Sequence, residues 1–128
     1  MKIFTERFPS AEQTKMLVHA YFQGVLSADL SVCEEMLSDD YIDHDAPPGT
    51  PPGPTGAKEY VAELLQTYRD LSIQVEDIIA EGYKVAARVI WRGRHKETGT
   101  PWSQMSLIIL HLNHTGQFVE RWSAYTPV

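Results

Sequence analysis

The spacing of apolar residues along this sequence changes near position 70 from three or four positions to two. Before that point apolar residues recur at helical spacing in three segments. After it, apolar and polar residues alternate, as they do in strands with one buried face. Residues 83–95 show the alternation most clearly, with Val85, Val89 and Trp91 on the face predicted to be buried. Three helices followed by long antiparallel strands predict an α+β fold in which the helices cover one face of the sheet.

Capping signals predict where the three helices begin. Ser10 is followed three positions later by Gln13, and Ser31 by Glu34, so each pair can satisfy two free amides at a helix start. Thr55 offers a side-chain cap for the third helix. The predicted helices span residues 11–28, 31–37 and 56–69.

A proline-rich segment separates the second and third helices. Residues 43–56 contain five of the eight prolines of the chain. Because proline has no amide donor and a fixed φ angle, this composition excludes a regular helix or a central strand and predicts a loop. Turn signals further on predict strands that begin near residues 71, 83, 102 and 117.

Composition narrows the class of protein and of partner. The 128 residues fit one domain, and a net charge of −6 with scattered basic residues argues against nucleic acid or an anionic membrane as a partner. Cys33 is the one cysteine, which excludes an intrachain disulfide and a cysteine-rich zinc site. Residues 1–10 lack the apolar run of a signal peptide, and no continuous apolar segment is long enough to span a membrane. We therefore expect a cytoplasmic location.

Six short motifs follow one another along the chain in a characteristic order. They are ADL at 28–30, DDYIDH at 39–44, GPTG at 53–56, DIIAEG at 77–82, GRH at 93–95 and GQFVERW at 116–122. In this order and spacing they resemble the SnoaL-like polyketide cyclases of the nuclear transport factor 2 superfamily, over nearly the whole chain. The resemblance implies a curved, mixed, mostly antiparallel sheet that forms a cone with three helices. It also implies an internal pocket for a small hydrophobic ligand that carries a carbonyl group.

The last strand departs from the family pattern. Family cyclases carry an acid/base carboxylate a few residues after the last-strand tryptophan, and often a histidine immediately before it. Here Arg121 precedes Trp122, and the sequence after it, SAYT, has no carboxylate. Two functions stay open. One is general acid/base chemistry of cyclase, isomerase or lyase type on a carbonyl or polyketide-like ligand, and the other is non-catalytic binding of a small molecule.

Two histidines are the candidate catalytic residues. His44 matches the pocket histidine of the family and lies between Asp43 and Asp45, and its ordinary pKa allows acid or base chemistry near neutral pH. A histidine that fixes the loop through a backbone carbonyl is the alternative. His95 continues the inward face of its strand and matches a glycine-any-histidine triplet of the family. The alternative is a solvent-exposed histidine at the strand end, which the neighbouring Lys96 and Glu97 favour.

Aromatic and polar residues supply the candidates for ligand binding. Aromatic rings offer a large apolar area with a polar edge, which suits a flat ligand, and core packing is the alternative. Glu120 matches a family glutamate, and a cross-strand pair with Arg88 or Arg121 would be its structural role. The candidates are Tyr21, Trp91, His111, Glu120, Trp122 and Tyr125.

Neither a metal nor a cofactor is expected. Asp43, His44 and Asp45 are consecutive, and consecutive strand residues point to opposite faces, so the triplet cannot hold one ion with all three side chains. The family resemblance also implies a homodimer, formed through the open face of the sheet. Ile108 and Leu110 are the apolar residues expected to be exposed on that face.

Overall fold

The computed structural model describes residues 9–128, which contain three helices and five strands. Most of the amino-terminal segment that lacks the pattern of a signal peptide lies outside the described residues. Among the described helices, none has both the length and the apolar character needed to cross a bilayer. The elements are α1 Ala11–Leu26, α2 Ser31–Met36, β1 Leu37–Asp43, α3 Gly53–Thr67, β2 Tyr68–Glu81, β3 Lys84–His95, β4 Pro101–Leu112 and β5 Phe118–Pro127.

The five strands form one mixed sheet in the order β1-β5-β4-β3-β2. Strands β2 to β5 pair antiparallel, whereas β1 pairs parallel with β5. The sheet is not closed, because β1 and β2 remain at its two edges. Helix α1 packs on β2 and α3 packs on β1, so the helices cover one face, which we call the inner face. The predicted α+β fold with a curved, mostly antiparallel sheet is confirmed.

Two of the three predicted helix caps are wrong. The capping box of Ser10 and Gln13 is present in both directions, which confirms the start of α1. At α2 the Oδ1 atom of Asp29 accepts hydrogen bonds from the amide and the hydroxyl of Ser31, so the Ser31–Glu34 box does not form. Helix α3 begins at Gly53 rather than after Thr55, and a proline occupies its first turn, where a missing amide costs no hydrogen bond.

The inner face of the sheet carries the core. Val85, Val89 and Trp91 are buried there, as the alternation in β3 predicts. The expected exposure of Ile108 and Leu110 is wrong, because they are only 2% and 6% exposed. Ile108 pairs with Ala87 of β3 and therefore belongs to the same inward row. Their neighbours along β4 face outward instead, and these are Leu107 at 50% and Ile109 at 48% exposure.

The proline-rich loop between β1 and α3 spans residues 44–52 and lies over the end of the sheet. The first turn of α3, which follows the loop, has two positions that require glycine. Gly53 has a φ angle of 70°, and a Cβ atom there would lie 2.7 Å from the carbonyl oxygen of Asp39. At Gly56 a Cβ atom would lie 2.0 Å from the carbonyl oxygen of Pro51, which is far inside contact distance. The first turn of α3 therefore packs directly against the loop.

Candidate functional site

A cavity of about 360 Å³ lies between the proline-rich loop, α3 and the paired strands β1 and β5. This volume falls in the range of small-molecule sites. The loop and α3 contribute apolar groups, among them Pro47, Pro51 and Ala57, and the strands contribute polar side chains. The cavity therefore offers apolar walls on one side and hydrogen-bonding groups on the other.

Four tyrosines from four different elements line this cavity. Tyr21 comes from α1, Tyr41 from β1, Tyr60 from α3 and Tyr125 from β5. Burial raises the pKa of Tyr41 to about 12, and it raises that of Tyr21 well above 10.0, with Cys33 nearby adding to the effect. Both phenols therefore stay protonated at neutral pH, where each can donate a hydrogen bond to a ligand oxygen.

Arg121 of β5 is the buried cation among these tyrosines, with 9% of its surface exposed. Its Nε donates to Ser123 Oγ at 2.9 Å and its Nη2 to the Tyr125 hydroxyl at 3.4 Å. Tyr41 is its third neutral neighbour. Burial lowers the pKa of the guanidinium. The surrounding groups raise it by more, so the pKa lies above its ordinary value; these groups are Tyr125, Tyr41, Tyr21 and Asp43.

The charge of Arg121 has no acidic partner at ion-pair distance. Within residues 9–128, no carboxylate oxygen lies within 4.0 Å of the guanidinium. Removing an ion from water costs several kcal/mol, and folded proteins usually recover this through a close counter-charge. Here neutral hydroxyls surround the cation. A smaller void next to Phe118 shares Tyr21, Tyr41 and Arg121 with the cavity, which places these residues on its core side.

Two aspartates also line the cavity. Asp43 is the last residue of β1 and the paired neighbour of Arg121 across the parallel strands. Its Oδ1 accepts the amide of Asp45 at 3.0 Å, and Asp45 Oδ2 accepts the amide of Ser123 at 2.6 Å. The Oδ2 atom of Asp43 makes no hydrogen bond to a described residue, which leaves it able to accept a proton.

The predicted site residues separate into three groups. Tyr21 and Tyr125 line the cavity. Trp91 lies in the core, where its Nε1 donates to Ser106 Oγ at 2.9 Å and its ring packs edge-on against Phe22. His95 lies at the end of β3 against the ring of Tyr68, outside the cavity lining.

The third group lies together on the outer face of the sheet, away from the cavity. His44 stacks on Trp122 with ring centres 4.7 Å apart, and its Nε2 lies 2.8 Å from Glu120 Oε2. His111 contacts the edge of the same tryptophan at 4.8 Å. We call His44, His111, Glu120 and Trp122 the outer-face cluster. Its members are brought together as expected for a site, but none of them is part of the cavity lining.

Alternation along the strands explains this separation and the residues that sequence reasoning missed. Arg121, Ser123 and Tyr125 are two positions apart and share the inner face, so Trp122 faces outward between them. In β1, Tyr41 and Asp43 line the cavity, and so does Ile42 between them, so alternation does not separate the lining residues of this strand. The prediction of Tyr125 as a ligand-binding residue already implied Arg121 at the same face. For Tyr60 the sequence indicated only a position in the third helix and no role in ligand binding.

The part of the chain that the structure describes contains no group of three or more His, Cys, Asp or Glu side chains arranged to hold a metal ion. The charged and phenolic side chains that line the cavity are those of the aspartates, Arg121 and the tyrosines. Together they place a potential base and a hydrogen-bonding cationic centre in one space.

Solved structures with the same fold come from several bacteria. IdmH from Streptomyces antibioticus, a candidate polyketide cyclase, is 26% identical with a TM-score of 0.77, over 88% of this chain and 91% of its own. TsrD from Streptomyces laurentii is 21% identical with a TM-score of 0.78, over 87% and 86% of the two chains. A protein from Catenulispora acidiphila with a ketosteroid isomerase-like fold is 16% identical with a TM-score of 0.72, over 86% and 85%.

Sequence comparison identifies the family of the chain. No curated protein sequence matches the chain significantly. The family model described as SnoaL-like polyketide cyclase matches residues 15–126. This span includes β1, all of β5 except its last residue, and all four tyrosines of the cavity. The chain therefore belongs to the SnoaL-like polyketide cyclase family.

Proposed function

We propose that this protein acts on a small hydrophobic carbonyl compound of polyketide-like structure by general acid/base chemistry of the cyclase or isomerase type. One observation carries the proposal. The carboxylate of Asp43 and the guanidinium of Arg121 line the same apolar cavity from paired positions on β1 and β5. Enolate chemistry requires two groups: a base that removes the proton, and a cationic or hydrogen-bonding group that stabilises the negative charge on the enolate oxygen.

The reaction begins at a carbon next to the ligand carbonyl. Asp43 Oδ2 takes a proton from that carbon, and the electron pair of the broken C–H bond moves to the carbonyl oxygen. Arg121 and the Tyr125 hydroxyl stabilise the resulting enolate. In an isomerisation Asp43 returns the proton to another carbon. In a cyclisation the enolate carbon bonds to a second carbonyl carbon, whose oxygen then takes up the proton.

Asp43 replaces the missing carboxylate of the family pattern in this proposal. The sequence after Trp122 has no acid, and Arg121 stands where family cyclases often carry histidine. Ketosteroid isomerase-like enzymes of the superfamily place their carboxylate base on a strand similar to β1. The chain thus combines a base on β1 with a cation in place of the last-strand histidine.

Non-catalytic binding is the second candidate. The absence of a carboxylate in residues 123–126 favours it, because the family base is missing from its usual strand. In that case Asp43 forms part of the rim, where its Oδ1 accepts the amide of Asp45 and holds the loop. The two candidates share the cavity and differ in whether a proton leaves the ligand.

Proton exchange distinguishes the two candidates. The probe is 2-tetralone, a ketone fused to an aromatic ring, dissolved in D₂O and followed by proton NMR. We expect the protein to accelerate exchange of the protons next to the carbonyl. Asp43→Asn should lower the rate by about 10²- to 10⁴-fold, because it removes one positioned base. Asp39→Asn, on the same strand but exposed and outside the cavity, is the matched control. Binding of the ketone with no exchange supports the non-catalytic candidate.

A homodimer and a cytoplasmic location complete the proposal. The outer face of the sheet exposes Ile79, Leu107 and Ile109, an apolar row that a second copy of the chain would cover. Cys33 is a buried free thiol, which suits a reducing compartment.

A further inference from the structure

We infer that the ligand of this cavity binds as an oxyanion, a carboxylate or an acidic enol, with its negative oxygen against Arg121. The inference rests on the proposed function, since it concerns the ligand of the same cavity. It adds a substrate class to it: a ring compound with an ionised oxygen, such as a polyketide acid or an enolised 1,3-dicarbonyl compound.

The first step is the permanent charge of Arg121. A guanidinium does not lose its proton in proteins, so burial cannot neutralise it as it would neutralise a lysine or a histidine. Ser123, Tyr125 and Tyr41 accept some of its five N–H groups, and all three are neutral hydroxyls. Hydroxyl groups satisfy hydrogen bonds but leave the positive charge uncompensated. The cavity wall therefore presents a cation that has no carboxylate of a described residue at ion-pair distance.

The second step is the position of the nearby acids. Asp43 and Asp45 line the cavity, and neither lies within 4.0 Å of the guanidinium. Their carboxylates accept backbone amides of Asp45 and Ser123 instead. Asp43 attracts Arg121 from a greater distance, and Asp45 is exposed to solvent, which screens its charge. The negative charge of the rim and the positive charge of the core side thus remain separate.

The third step is the match between this centre and its ligand. A neutral carbonyl would accept a hydrogen bond from Arg121 but would leave the charge unbalanced. A carboxylate or an enolate supplies both the acceptor and the charge, and the planar fork of arginine fits two oxygens at once. When the carboxylate of such a ligand occupies Arg121, the hydroxyls of Tyr60 and Tyr125, which line the same cavity, are left to stabilise the enolate.

The test compares an acid with its uncharged amide. Isothermal titration calorimetry at neutral pH and low salt measures the affinity of the protein for 2-naphthoate and for 2-naphthamide, two ligands of the same shape. Hydrogen bonds to a charged partner predict that naphthoate binds about 10- to 100-fold more tightly. A third probe, 2-acetylcyclohexane-1,3-dione, is an acidic enol. Tighter binding of this compound than of naphthoate identifies the enol, and the reverse identifies the carboxylate.

Variants assign the preference to Arg121. Arg121→Met should remove the preference for naphthoate and keep the affinity for naphthamide, while Arg121→Lys should keep part of the preference. Arg92→Met, which changes an exposed arginine outside the cavity, is the matched control and should change neither affinity.

Two results overturn the inference. Equal affinities of the unaltered protein for naphthoate and naphthamide contradict the oxyanion and leave the proposed function intact, because exchange of 2-tetralone tests that function separately. Binding of neither compound at millimolar concentration contradicts both. If Arg121→Met does not fold, the affinities of the unaltered protein for naphthoate and naphthamide are measured again at high salt. They still test the inference, because salt weakens the binding of the charged naphthoate and not that of the amide.

Discussion

Asp43 and Arg121 are paired residues of the parallel strands β1 and β5, and both side chains line the cavity without forming a close ion pair. The arrangement places a carboxylate and a cation at neighbouring positions on one wall of the cavity without an ion pair between them. A close pair would neutralise both groups in the resting protein. Held apart, each remains available to a ligand, which is the physical basis of the proposed acid/base function.

The contact between α3 and the proline-rich loop predicts the effect of Gly56→Ala. The new methyl group would collide with the Pro51 carbonyl and push the loop away from the helix. We expect a loss of about 1–3 kcal/mol in the free energy of unfolding and weaker ligand binding, because the loop forms one cavity wall. Chemical denaturation and calorimetry measure the two effects. Glu59→Ala, at an exposed position of the same helix outside the cavity lining, is the control and should leave ligand affinity unchanged. Unchanged affinity in Gly56→Ala would contradict the role of the loop.

The buried tyrosines predict how stability changes at high pH. Burial raises the pKa of Tyr41 from 10.0 to about 12, so the folded state holds the phenolic proton more tightly than the unfolded state. This contribution is complete below pH 10 and is lost as the pH rises from about 10 to 12; two pKa units correspond to about 2–3 kcal/mol. Unfolding measured between pH 9 and 12 should show this loss, and Tyr41→Phe should reduce it. A Tyr41→Phe profile identical to that of the unaltered protein would contradict the assignment.

The outer face of the sheet predicts the oligomeric state. Leu107 and Ile109 project from β4 on the face that the helices leave open. If two copies of the chain cover this face, Leu107→Glu should convert a dimer into a monomer, because a buried unpaired carboxylate opposes association. Light scattering at micromolar concentration measures the mass. Met16→Glu, at an exposed apolar residue of α1, is the control and should leave the dimer intact. A monomeric unaltered protein would refute the dimer.

The position of His44 predicts a structural effect for His44→Asn. The substitution removes the stack on Trp122 and the contact with Glu120, which hold the end of β1 against β5. We expect about 1 kcal/mol less stability and nearly unchanged affinity for cavity ligands. Thermal unfolding and calorimetry on the same samples separate the two quantities. Normal stability combined with a large loss of proton exchange would instead restore His44 as the acid/base group.

The sequence predicted the positions of helices and strands better than it predicted which face of the sheet each strand residue occupies. The change of period near position 70 located three helices and four long strands, because amphipathic spacing follows directly from which side chains are buried. The face of each β5 residue depended on pairing that no local pattern contains. Strand β1 pairs with β5 with a shift in register between Leu37 and Ile42, and β4 with β5 between His111 and Leu112. One shifted residue exchanges the two faces of a strand.

The candidate site shows the consequence of this limit. Trp122 and Tyr125 are three positions apart, so a regular strand cannot direct both into one cavity. Family motifs identified the right segments, including the end of β1 and the last strand. Within those segments the cavity is lined by Asp43 and Arg121 rather than by their neighbours His44 and Trp122. The motifs thus located the cavity lining to within one residue, and in β5 strand alternation decides which residue of the pair lines the cavity.

The position of a bound ligand is the most direct test of the claim that this cavity is the functional site. A crystal structure of the protein with 2-naphthoate would provide it. We predict the carboxylate at hydrogen-bonding distance from Arg121 and the rings between the proline-rich loop and Tyr60. A ligand on the outer-face cluster, beside His44 and Trp122, or in the cleft between α1 and β2 would contradict the account.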